Sequence, residues 1–372
     1  MSPGKKRLRS GFTTGACAAA AAKAAALLLV SGEKPQTVSI PFPDGQSRSF
    51  TVIHSQRQDR QATASVIKDA GDDPDVTNGA EICAQVTVAA GPAEEALDHH
   101  LADKTAIIFQ AGQGVGMVTK PGLAVPVGQP AINPGPRKMI AAALDEAPWP
   151  KNFIKPPARL IVTISVPRGR ELAAKTLNQR LGIVRGLSIL GTTGIVTPVS
   201  AAAWTATIEA SMAVARETGC QEIVLSTGRT SEKAVQRLLD LPIEAYAMMG
   251  DYLEFSLQAA HEFGFQKIHL AGMWAKVLKA AMQVPQTHVR NGALEVREAA
   301  GFIAGLAQDS NLQERLAHAN TAREIYERLR LARRHDLVRK VCLAAADFAR
   351  TTSGLPVALY LVESPGKVVE HV

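Results

Sequence analysis

The residues best equipped for ligand chemistry lie at 187–200, LSILGTTGIVTPVS, where a short apolar run meets a turn of two glycines and two threonines. Gly191 and Gly194 open backbone angles closed to other residues and let a ligand approach closely, while Thr192 and Thr193 present hydroxyls. Thr197 is placed to cap a following helix, and Pro198 suits its first turn, where a missing N–H costs nothing. Turns at the carboxyl ends of strands are where open α/β sheets bind ligands, although a plain strand-to-helix connection reads the same way. Just upstream, Arg168, Arg170, Lys175, Arg180 and Arg185 stand against one acid, Glu171. Guanidinium groups grip carboxylates with two prongs, so the strip suits a ligand carrying several carboxylates as well as it suits a solvated surface.

Asp69, Asp72, Asp73 and Asp75 in KDAGDDPDVTNG resemble a calcium loop, but Gly79 falls six residues after Asp73 and the bidentate glutamate is missing. A turn-rich acidic loop bonding its own backbone is the alternative to a site. The run Gly112-Gln113-Gly114-Val115-Gly116 is G-x-G-x-G, not the dinucleotide fingerprint, and no Walker-type motif occurs. This argues against a nicotinamide-dependent reductase and an NTP hydrolase. Cys17, Cys83, Cys220 and Cys342 are far apart, and the paired His99 and His100 point to opposite sides of any regular element. We therefore expect no protein-bound metal and no disulfide framework, which fits a reducing cytoplasm.

A 372-residue chain with 46% hydrophobic and 20% charged residues is an ordinary globular protein, long enough for two domains. Net charge is +7, and all of the excess lies after residue 150, where 27 basic residues meet 20 acidic ones. With 5% aromatics there is little to stack on bases, so nucleic acid is not expected and a polyanionic small molecule is. Lys5, Lys6, Arg7 and Arg9 before an Ala/Leu-rich run imitate a secretory signal. Lys23 interrupts that run, leaving 24–30 too short to span a bilayer, so a cytosolic amphipathic or buried helix is expected and no membrane. Assembly into a homo-oligomer is left open.

Four prolines within 147–157 place the domain boundary there. Before it, a helix over 16–30, capped by Thr13 or Thr14, precedes strands near 37–40, 49–53, 62–68, 84–89 and 106–109, which suggests an α+β domain over 1–150. After it, apolar runs at 160–166, 187–190, 222–225, 267–271 and 357–362 alternate with helical stretches. That alternation predicts a Rossmann-like α/β domain over 151–372 with a mainly parallel sheet. Thr230 or Ser231 is expected to cap the helix after the run 222–225, and 314–340, with eight basic residues against four acids, reads as a solvated helical face.

Together the segments RSGFTTGACAAAAAKAA, KDAGDDPDVTNGAEI, GQGVGMVTKPGLAVPVGQPAINPGPRKMI, SVPRGRELAAKTLNQRLGI and LSILGTTGIVTPVS resemble the cobalt-precorrin-5B C(1)-methyltransferases (CbiD) of anaerobic cobalamin biosynthesis. The last third matches more loosely: Ala275-Lys276 and Met282 depart from the family pattern, and Thr287-His288 keeps it. The resemblance implies S-adenosylmethionine as methyl donor and a polyanionic corrinoid as acceptor, methylated at ring carbon C-1 to give cobalt-precorrin-6A. Cobalt would arrive inside the substrate. It further implies that Gly191, Thr192, Thr193 and Gly194, with Thr227 and Gly228, hold the donor, and that Thr13, Thr14 and Gly15 close over donor or corrinoid. Arg168, Lys175 and Arg180 would clamp substrate carboxylates, and Asp72, Asp73 or His288 would serve as any base. A non-catalytic corrinoid carrier is the competing reading.

Overall fold

An alanine-rich helix organises the first half of the computed structural model, which describes all residues except 1–7, 91–100, 102–104, 151–157 and 285–294. Strand β1 (Gly11–Phe12) leads into that helix, α1 (Thr14–Ser31). Thr13 caps it by accepting the Ala16 N–H at 3.2 Å, and Gly32, at φ +75°, closes it by donating to the Leu28 carbonyl. Alanine is the best helix former, and here it also sets the packing: nine alanines between Ala16 and Ala26 are 0% exposed. A helix with small side chains on every face lets its neighbours come close all round. By length and composition α1 would cross a membrane, yet it lies enclosed in the core of this unit. Lys23 reaches out of that core to the Ser39 carbonyl at 2.6 Å and Glu146 at 2.5 Å.

Around α1 come β2 (Thr37–Pro41) and β3 (Ser47–Thr51), an antiparallel pair, then β4 (His54–Gln58), β5 (Gln61–Ile67), β6 (Glu81–Ala90) and β7 (Ala106–Ala111). β8 (Met117–Val118), α2 (Pro134–Asp145) and β9 (Ala158–Ser165) follow. The five-stranded sheet runs β4-β5-β6-β9-β7, antiparallel except where β7 joins β9. Burial alternates along β6, whose inward face packs against α1. The unit ends with α3 (Gly169–Ala173), β10 (Ile183–Val184) paired to β8, and β11 (Ile195–Val196) paired to β1.

The chain divides into units Met1–Ser200 and Ala201–Val372, not at residue 150. The reason is β9, which pairs with both β6 and β7 and so carries residues 158–200 into the first unit. Pro148 and Pro150 follow the end of α2. They say nothing about which sheet the next strand joins, and 151–157 lie outside the described residues.

The second unit begins with α4 (Ala201–Glu217) and β12 (Glu222–Ser226), followed by α5 (Arg229–Gln236), β13 (Tyr246–Met248), α6 (Leu253–Glu262) and β14 (Lys267–Met273). Helices α7 (Trp274–Ala281), α8 (Val296–Ala307), α9 (Ser310–Ala317), α10 (Ala322–Leu331) and α11 (His335–Ser353) precede β15 (Val357–Glu363) and β16 (Lys367–His371). The sheet order is β13-β12-β14-β15-β16; the first four strands are parallel and β16 is antiparallel, so both large sheets are mixed. Ile223, Val224 and Leu225 are fully buried, as expected of an inner parallel strand covered on both faces. Within the basic stretch 314–340, Arg323, Arg328 and Arg334 pair with Glu327, Glu324 and Asp336, and Arg330 and Arg339 reach Glu363 and Glu370.

Ala20→Leu should overpack the α1 core and lower stability by about 1–3 kcal/mol, read as a drop in Tm, whereas Ala142→Leu on the exposed side of α2 should leave Tm within a degree or so.

Candidate functional site

Residues 187–190 are extended but belong to neither large sheet. Leu187 bridges Val115 and Ile189 bridges Ile132. The G-x-G-x-G turn supplies the partner: Gly114 accepts the Leu187 N–H at 2.9 Å, and Gly116 donates to the Leu187 carbonyl at 2.8 Å. Nor does a helix start at Thr197. Ile195 and Val196 instead pair with Phe12 and Gly11, and α4 begins at Ala201, because strand pairing with a distant segment overrides the local capping signal.

The Gly-Thr-Thr-Gly loop is clasped by the start of α1. Thr13 donates its N–H to Gly194 at 2.9 Å and Gly15 donates to Leu190 at 3.0 Å. The Thr14 hydroxyl bonds both the carbonyl and the N–H of Leu190, at 3.2 and 3.0 Å. Thr13 and Thr14 are thus buried with their hydroxyls committed, positioning the loop rather than facing a ligand. Gly191 has φ +124°, and a Cβ there would stand 2.4 Å from the Thr13 side chain. Thr193 bonds the Ile195 backbone at 3.3 Å, while the exposed Thr192 hydroxyl has no partner among the described residues.

The acidic loop braces the same clasp. Asp69 takes the Arg9 guanidinium at 2.5 and 2.8 Å, Asp72 accepts the Arg9 N–H at 2.7 Å, and Asp73 accepts the Val199 N–H at 3.1 Å. Asp75 holds the ammonium of Lys68, which is 1% exposed, at 2.7 Å. Burial alone would raise the Asp75 pKa, but hydrogen bonds from Lys68 and Thr77 outweigh it and hold that carboxyl below its ordinary range. Hydrogen bonds from Arg9 and from the Gly71 N–H lower Asp69 to about 2. Asp72 and Asp73, expected as candidate bases, therefore spend their geometry on backbone donors. The other candidate, His288, lies outside the described residues, as do His99 and His100.

Of the expected carboxylate clamps, Arg168 lines a cleft of about 540 Å³ together with Gln113, Pro167, Arg170 and Glu171. Arg168 is engaged with Glu171 at 3.1 Å, whereas Arg170, exposed beside it, has no side-chain partner among the described residues. Lys175 and Arg180 do not line this cleft; Lys175 is exposed, and the Arg180 carbonyl accepts Lys120 at 3.4 Å.

In the second unit Thr227 and Gly228 leave the carboxyl end of β12. Thr227 donates its N–H to Ala271 at 3.0 Å, and Met249 donates to Ser226 at 2.9 Å, tying that end to both neighbouring strands. Gly228, not Thr230 or Ser231, holds the cap position of α5, with its backbone extended and nothing within 4 Å of a Cβ built on it. The Ser231 hydroxyl instead bonds back to the Gly228 carbonyl at 2.9 Å. Sequence reasoning missed Asp251, after β13, which is ion-paired with Lys276 of α7; the usable signal was an acid following the Gly228 turn at the distance set by one helix and one strand. Burial pushes the thiols of Cys17, Cys83 and Cys342 up to about 12, so none is a nucleophile at neutral pH.

A CbiD family model matches residues 1–198. The chain is 54% identical over 367 residues to the cobalt-precorrin-5B C(1)-methyltransferase of Desulfotalea psychrophila, covering 99% of this chain and 98% of that protein. It is 48% identical to the enzyme of the same name from Geobacter sulfurreducens, with 93% of each chain covered. A crystal structure of the cobalamin biosynthesis protein CbiD from Archaeoglobus fulgidus is 25% identical, covers 87% of this chain and 84% of that one, and overlays with a TM-score of 0.38.

Gly191→Ala should lower Tm by several degrees, since it adds both a disfavoured φ and a clash, while Gly228→Ala should leave Tm unchanged. Because Asp69 is depressed in the folded state, its stabilisation is complete above about pH 4 and disappears as pH falls toward 2. Wild type should therefore lose Tm more steeply than Asp69→Asn across that window.

Proposed function

The chain belongs to the CbiD family, and from that premise we propose that it transfers a methyl group from S-adenosylmethionine to ring carbon C-1 of cobalt-precorrin-5B, giving cobalt-precorrin-6A. The near full-length identity to curated enzymes of that name is the observation that carries the reaction. The donor supplies an electrophilic methyl on a positively charged sulfur. A carbon–carbon bond forms as the carbon–sulfur bond breaks, and the electron pair leaves with sulfur as S-adenosylhomocysteine.

Such a displacement disperses charge, so the chain's task is alignment and exclusion of water more than strong acid or base chemistry. We read the second unit as Rossmann-like: four parallel strands in the order β13-β12-β14-β15 put a change of direction at β12, and ligands of such sheets sit at the carboxyl ends there. That supports Thr227 and Gly228 as the donor's cradle, with the open side of Gly228 leaving room for it. The same rule does not reach Gly191, Thr192, Thr193 and Gly194, since 187–190 are no strand of a large sheet. We assign that loop to the corrinoid, with Thr13, Thr14 and Gly15 fixing its shape.

The corrinoid's acetate and propionate groups need cations. Arg170, exposed at the cleft, supplies one, with Lys175 as an exposed second, while Arg168 beside them is held by Glu171. No base is assigned to Asp72 or Asp73, whose carboxylates hold the clasp. The enclosed α1 supports a soluble enzyme working in the cytoplasm, with cobalt carried in by the substrate.

Labelled S-adenosylmethionine incubated with the corrinoid should yield a product heavier by one methyl group. A chain that binds the corrinoid and leaves its mass unchanged is a carrier. Arg170→Ala should raise the corrinoid KM about ten-fold with kcat nearly unchanged; a fall in kcat instead would move Arg170 into the chemistry. Thr192→Val with Thr193→Val should weaken the corrinoid and not S-adenosylhomocysteine in calorimetry, and the reverse would return the loop to the donor.

A further inference from the structure

The ion pair between Asp251 and Lys276 occupies a telling place in the fold. Asp251 follows β13 and Lys276 follows β14, and these strands flank β12 on either side. The pair therefore spans the carboxyl end of β12, beside the point where Thr227 and Gly228 depart. Helix α5 begins at Arg229, α6 at Leu253 and α7 at Trp274, so each starts within a few residues of the carboxyl end of the strand before it. A ligand lying over β12 would have the open Gly228 turn on one flank and the Asp251 carboxylate on the other.

The neighbouring surface is suited to a flat base. Trp204 of α4 is 45% exposed, its ring lies 2.9 Å from where a Cβ on Gly250 would stand, and its Nε1 donates to the Met249 carbonyl at 3.1 Å. Tyr252 lies alongside, with the two rings 6.5 Å apart and 27° from parallel. An anchored, half-exposed indole beside a partly buried carboxylate pairs a stacking surface with an acceptor for hydroxyls, which are the two halves of a nucleoside. In dinucleotide-binding sheets, whose strand order differs from this one, an acid about 20 residues beyond the first turn reaches a ribose hydroxyl, and Asp251 likewise follows the strand after the Gly228 turn.

We infer that Asp251 accepts the ribose 2′-hydroxyl of the methyl donor, with the indole of Trp204 flanking the adenine. Lys276 holds the carboxylate in place through their ion pair. Gly250, at φ +59°, permits the close packing of Trp204 that brings both groups to one strand end. This rests on the donor seat proposed above for the Thr227–Gly228 turn, and names the residues that read its nucleoside.

Calorimetry with S-adenosylhomocysteine and its 2′-deoxy counterpart tests it, using wild type, Asp251→Asn, Lys276→Met and Gly228→Val. Wild type should prefer the ribose compound about ten-fold or more. Asp251→Asn should bind it about ten-fold more weakly and lose the preference, while Lys276→Met, which breaks the same ion pair, should keep the preference. Binding should also quench tryptophan fluorescence in wild type and not in Trp204→Phe. If Asp251→Asn weakens both compounds equally and keeps the preference, or binds as wild type does while Gly228→Val is weakened, the nucleoside assignment fails and the donor seat stands. If Gly228→Val binds as wild type does, or wild type binds neither compound, the donor seat fails and takes this inference with it.

Discussion

The first unit depends on a clasp between two segments that approach too closely for a Cβ at Gly15 or Gly191. Thr13, Thr14 and Gly15 open α1, and their N–H and hydroxyl groups grip Leu190 and Gly194 at 2.9–3.2 Å. That grip needs Gly191 to carry no Cβ against Thr13 and Gly15 to carry none against Pro136. The threonines satisfy polar groups that would otherwise be buried and unpaired, at a cost of roughly 1–3 kcal/mol each. Thr192 and Thr193 remain outward, and with Thr193 bonded to the Ile195 backbone the clasp presents the Thr192 hydroxyl.

Much of the architecture was legible. The alanine helix with its Thr13 cap, the alternation in β5 and β6, and the apolar cores of β12, β14 and β15 all follow from periodicity and caps. What sequence could not disclose was partnership. The run 160–166 looks like any inner strand, and only its pairing with β6 and β7 assigns it to the first unit. Likewise 187–190 carries a strand's composition while forming only isolated bridges, and Thr197 carries a cap's chemistry while following a strand. Local propensity is overruled wherever a distant backbone offers better hydrogen bonds.

The same limit applied to the site. Residue types identified the acidic loop and the basic strip but not their internal pairing. Arg9 and Lys68 claim Asp69 and Asp75, backbone donors claim Asp72 and Asp73, and Glu171 claims Arg168. Charge density therefore overstated what is available to a ligand, and it passed over Asp251, an unremarkable single acid whose importance comes from which strand it follows.

The clasp joins positions very far apart along the polypeptide: Thr14 and Leu190 are separated by 176 residues. Closing so large a ring costs chain entropy before any contact repays it, and such pairings form slowly. During synthesis the amino-terminal threonines must wait for nearly two hundred further residues to emerge before their partners exist. The earlier-made partner of the clasp thus waits longest to be fastened, and a nascent chain halted short of Leu190 leaves the head of its central helix untied.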